Sequence, residues 1–101
     1  MTVIEKNEGP KIEYEVIGSK IIFDDDLMLN LAKREADEPA HIVISRNKAR
    51  ELVIGTEDLY RYVAEIDIPA RAYTEPENEG DSPEPVPFDM DNVTLTLWAV
   101  E

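Results

Sequence analysis

Cysteine is absent from this chain of 101 residues. Disulfides, thiolate metal sites and cysteine nucleophiles are thereby excluded, and the absence suits a reducing compartment. Histidine occurs once, at His41, so a zinc site would otherwise have to be built from carboxylates. Glycine occurs only at positions 9, 18, 55 and 80, too dispersed for a phosphate-cradling loop. Ser19, Ser45 and Ser82 are the only serines, and none lies in a nucleophile-elbow pattern. No apolar run approaches the length of a membrane span, and "MTVIEKNEGPK" lacks the apolar core of a signal peptide. Basic residues are also scarce, 10 against 23 acidic ones, for a net charge of −13. That balance repels nucleic acid and anionic lipid. The expectation is a soluble, cytoplasmic, non-catalytic protein with no cofactor, no metal, no nucleic acid and no membrane partner.

What is present suffices for one modest core: 43% of the residues are hydrophobic, in a chain of single-domain length. In "KIEYEVI", Ile12, Tyr14 and Val16 alternate with Lys11, Glu13 and Glu15, the mark of a half-buried strand. Gly18-Ser19 provides a tight turn, and Ile21, Ile22 and Phe23 return as a second strand. "TVIE" ahead of them reads as an edge strand. "HIVIS", residues 41–45, is strongly β-forming, and "RELVIG" reads as its hairpin partner across "RNKA" in preference to a short helix capped by Ser45.

Two segments carry helical spacing. After Asp24, Asp25 and Asp26, the residues Leu27, Met28, Leu31 and Ala32 share one helical face, with Lys33 and Arg34 near the far end. The aspartates then supply the N-cap and the first-turn negative charge that the helix dipole favours. In "TEDLYRYVAEI", Thr56 caps, Glu57 and Asp58 fill the first turn, and Leu59, Tyr62, Val63 and Ile66 form a stripe. The two helix starts echo one another, Asp26-Leu27 and Ala32 matching Asp58-Leu59 and Ala64. "DIPARAYT" and "NVTLTLWAVE" close the chain as strands. The predicted fold is a single α+β domain over residues 1–101, a mostly antiparallel sheet with two helices on one face, in the order ββα-ββα-ββ. The stretch 75–91 holds Pro76, Pro83, Pro85 and Pro87 with seven acids and no base, and reads as an extended, mobile loop.

The aspartate triplet is a poor metal site, because consecutive residues at a helix start diverge and the spaced ligands and central glycine of a calcium loop are missing. His41 reads as a half-exposed residue at a strand entry. Arg46, Lys48 and Arg50 form the one basic cluster, which could meet a phosphate but, given the overall negative charge, reads better as offsetting nearby acid at a solvated turn. The last strand is the most suggestive. Val93, Leu95 and Leu97 face one way, and Thr94, Thr96 and Trp98 the other. With Arg71 and Tyr73 on a partner strand, helices over the aliphatic face would leave Arg71, Tyr73 and Trp98 on an open sheet side, residue types that dominate binding hot spots. The same pattern also fits Trp98 packed beneath the proline-rich loop or in a second small core. Two functions follow: a protein-interaction module whose partner docks on that face or on a sheet edge, or an acidic inhibitor, immunity-type or nucleic-acid-mimicking, that blocks a basic site.

Overall fold

Period-two patterning governs the chain far beyond the segments where alternation is evident. The structure, a computed structural model, describes residues 1–75, 80 and 82–100. It contains eight strands: β1 (Thr2–Glu5), β2 (Tyr14–Ile17), β3 (Lys20–Phe23), β4 (Leu27–Asn30), β5 (Ala40–Asn47), β6 (Leu52–Ile54), β7 (Leu59–Ile68) and β8 (Thr94–Leu97). Single 3-10 turns occupy Leu31–Arg34 and Met90–Asn92. Five strands form one sheet in the order β1-β8-β7-β5-β6, and three form another in the order β2-β3-β4. All neighbours are antiparallel except β1 and β8. The α+β prediction is therefore corrected: the fold is nearly all-β, and no helix covers a sheet face among the described residues. Nor, among those residues, is any helix long and apolar enough to cross a membrane.

The smaller sheet shows why the first predicted helix is a strand. Gly18, at φ 60°, makes the β2–β3 turn and sets Ile17 opposite Lys20, as the sequence predicts. The aspartates make the next turn instead of capping a helix. Asp24 and Asp25 sit at φ 53° and 51°, and the Asp26 amide donates to the Phe23 carbonyl over 2.9 Å. Aspartate tolerates this left-handed region better than most side chains do, and two such residues in succession suit a hairpin turn. Beyond it, Leu27, Leu29 and Leu31 alternate with an exposed Met28, and Leu29 and Leu31 are fully buried.

The second predicted helix is β7, the central strand of the larger sheet. Its pairing with β5 slips twice, skipping Val63 between the Ile44–Ala64 and Ser45–Tyr62 pairs, and Tyr60 between Arg46–Arg61 and Asn47–Leu59. Each slip is a β-bulge, where one strand contributes an extra residue. Val63 and Ala64 are consequently both fully buried. Asp58, at φ 55°, turns the chain into β7 as Asp24 and Asp25 turn it into β4. The internal echo is thus a shared turn-to-strand signal. The β5–β6 hairpin forms as predicted, and β1 is an edge strand, but it pairs parallel to β8 in the larger sheet and not with β2 across the "NEGP" turn.

Both sheets contribute to one hydrophobic cluster: Ile21, Phe23 and Leu29 from the smaller, Ile44, Val63, Ile66, Ile68, Leu95 and Leu97 from the larger. The strand predicted at residues 67–74 stops at Ile68, ahead of Pro69, which has no amide proton to continue the ladder. Ala72 and Thr74 instead bond Val86 and Glu84 across an isolated Tyr73–Pro85 bridge, fastening the base of the proline-rich loop. Residues 76–79 and 81 lie outside the described residues, and with them part of the loop prediction. Phe88 and Met90, predicted within that loop, pack against the core.

Candidate functional site

The face of the larger sheet opposite the core carries a continuous polar and aromatic network. Register brings Thr96 beside Glu65, and Thr94 and His41 beside Asp67. The His41 imidazole meets Asp67 Oδ1 through Nδ1 at 2.6 Å and Glu65 Oε1 through Nε2 at 3.3 Å. Only the imidazolium can donate from both nitrogens, so the Asp67 hydrogen bond, aided by the charges of Asp67 and Glu65 and opposed by slight burial, raises the His41 pKa. With both nitrogens engaged by carboxylates, this histidine is poorly placed to act as a general base.

The other oxygen of Glu65 accepts from Trp98 Nε1 at 2.9 Å, and the indole stacks on Tyr62 with centroids 5.4 Å apart and planes 27° apart. Lys6 Nζ lies 5.7 Å from the Trp98 ring centre. Sequence alternation left open whether Trp98 faces an open sheet side or packs in a core; the structure places it half-buried on the face opposite the core, locked at its polar edge by Glu65.

Beside this pair, Tyr60, Arg61, Tyr62, Trp98 and Ala99 line a shallow hollow of about 400 Å³. It adjoins a cleft of about 310 Å³ between Arg46, Arg50, Tyr60, Arg61 and Val100. The Arg50 and Arg61 guanidinium carbons stand 4.2 and 5.1 Å from the Tyr60 ring centre, within cation–π range. Arg46 donates to the Arg50 carbonyl and meets Asp24 at 3.4 Å, while Arg61 donates to the Val100 carbonyl. The predicted basic cluster does offset acid at Asp24 and, through Lys48, at Asp58. Its extension through Arg61 and Tyr60 is new.

Arg71 and Tyr73 are not part of this face. They meet each other's neighbourhood around Asp37, which takes the Tyr73 hydroxyl at 2.5 Å and an Arg71 nitrogen at 3.4 Å, with Glu35 also pairing Arg71. Trp98 bonds through its amide to the Val63 carbonyl, whereas Arg71 follows the far end of β7. Five residue steps of strand lead from Val63 to Ile68, on the order of 17 Å. The predicted trio therefore divides into Trp98 at one place and Arg71–Tyr73, tying the loop base to residues 35–37, at another. Tyr60, Tyr62 and Glu65 escaped detection because the supposed helix 57–66 enclosed them; the β-forming character of "LYRYV" was the available signal. Comparison with known proteins finds no matching family model, no similar curated protein and no similar solved structure.

Proposed function

We propose that this chain is a non-catalytic, cytoplasmic docking module that receives a protein partner on the open face of its larger sheet, at Tyr60, Tyr62 and Trp98. The observation that carries the reading is the preorganised aromatic surface: Trp98 is held by Glu65 and stacked on Tyr62, while Tyr60 and Tyr62 remain 43% and 39% exposed. Rigid aromatics flanked by arginine contribute large contact area with little side-chain entropy to lose, which is how binding anchors work. The face is favoured over the sheet edges because the edge strands β1, β2, β4 and β6 are only three or four residues long. Short edges offer few backbone groups for strand addition.

Immobilised wild-type protein, a Tyr62→Ala variant, a Trp98→Ala variant and a variant with the acids of 75–91 neutralised should be compared for retention of bound cytoplasmic proteins. Each variant is first shown to be folded by circular dichroism. The face variants should weaken a specifically retained partner by about 2 kcal/mol or more. Retention that ignores both aromatic changes but vanishes on neutralising the loop would transfer the function to acidic inhibition.

A further inference from the structure

Arg46 and Arg61 stand directly opposite one another on β5 and β7. Like charges so placed are unfavourable, yet among the described residues only Arg46 has a carboxylate, Asp24, within ion-pair distance. Among the described residues neither Arg50 nor Arg61 meets any carboxylate at 4.0 Å or less, in a chain where acids outnumber bases 23 to 10. Both are held beside Tyr60 instead. A guanidinium presented to an aromatic ring keeps N–H donors available in its own plane, suited to paired acceptor oxygens.

We propose that the cleft between Arg46, Arg50, Tyr60 and Arg61 is a seat for one carboxylate side chain, an aspartate or glutamate of the docking partner, whose neighbouring aromatic residue fills the hollow at Tyr62 and Trp98. The proposal rests on the docking reading for the carrier of the carboxylate. The shared walls, Tyr60 and Arg61, set the two subsites side by side. A single carboxylate offsets part of the positive charge left by Arg46, Arg50 and Arg61 against Asp24, and brings no other anion over a surface of net charge −13. A polynucleotide would carry its remaining phosphates across that same surface, against the field.

Short random peptides displayed on phage are to be selected on the wild-type protein, and the winners measured on Arg50→Gln/Arg61→Gln, Tyr62→Ala and Trp98→Ala variants whose folding is confirmed by circular dichroism. Selected peptides should carry an acidic residue next to an aromatic one. Affinity should drop about tenfold or more in the arginine variant, and equally when the peptide's acid is replaced by its amide. Winners without acidic residues, winners indifferent to the arginine variant, or no enrichment at all would overturn the carboxylate seat. Tighter arginine-dependent binding of a short oligothymidylate than of any peptide would overturn it too. Arginine-dependent, acid-dependent binding that ignores Tyr62→Ala and Trp98→Ala would keep the seat and remove the aromatic docking reading, while the converse pattern would keep docking and remove the seat.

Discussion

The His41 imidazole, set between Asp67 and Glu65, makes the stability of the sheet depend on pH near neutrality. Its folded pKa lies above the ordinary value, chiefly through the Asp67 hydrogen bond, so the folded state binds the proton more tightly than the unfolded chain. The stabilisation is fully present below the unfolded value of about 6.5 and is lost as pH rises through the raised folded value. His41 and Asp67 side chains are each about half exposed, so the effect is small, under about 0.5 kcal/mol after solvent screening. Thermal melts of wild type should therefore fall slightly between about pH 6 and about pH 8 relative to His41→Gln, whose profile should be flatter there. A wild-type melting temperature that rises over that interval relative to the variant would contradict the geometry. At this scale the sequence was partly legible. The side of the sheet that Trp98 faces follows from alternation ending β8, and the half-exposed entry position of His41 from its place before a β-forming run. The partners Glu65 and Asp67 were hidden, because they reach His41 only through the pairing of β5 with β7, which helical spacing had disguised.

That disguise is a property of the elements. In β7 the bulge at Val63 turns Val63 and Ala64 both into the core, so Leu59, Val63 and Ile66, with Tyr62 from the open face beside them, imitate the three-and-four spacing of a helix. In β4 the ambiguity is simpler. Leu27, Leu29 and Leu31 satisfy period two as well as Leu27, Met28 and Leu31 satisfy a helix, and the left-handed turn before them selects the strand. Asp25 occupies that turn at φ 51° with its side chain exposed. Asp25→Gly should stabilise the protein by about 0.5–1 kcal/mol by relieving the left-handed backbone, and Asp25→Val should destabilise it by at least as much. Denaturant unfolding of both variants checks the sign; a helix begun by the aspartate triplet would instead lose stability with glycine in place of its cap or first-turn acid. The proline-rich segment divides the same way. Shortening within 75–83 should leave the melting temperature nearly unchanged, because loop-closure entropy changes slowly with length. Replacing Phe88 by alanine should lower stability by about 1–3 kcal/mol, since its ring packs on the core, though not wholly buried there.

For the whole molecule, two sheets of unequal size share one core, and the radius of gyration of 16.1 Å exceeds the roughly 13 Å of a compact chain of this length. An elongated body, 56 × 24 × 22 Å, exposes much surface for its volume, and its acidic excess keeps most of that surface hydrated. Against that background the strip from Arg50 through Tyr60 and Tyr62 to Trp98 stands apart in both charge and aromatic content. The most direct test of docking on this strip is hydrogen–deuterium exchange of the chain alone and with a bound partner. Slowed exchange should centre on residues 59–65 and 94–99, with the β5–β6 turn around Arg50 included. Protection confined to 75–91, with β7 and β8 exchanging as in the free protein, would contradict docking on the open face.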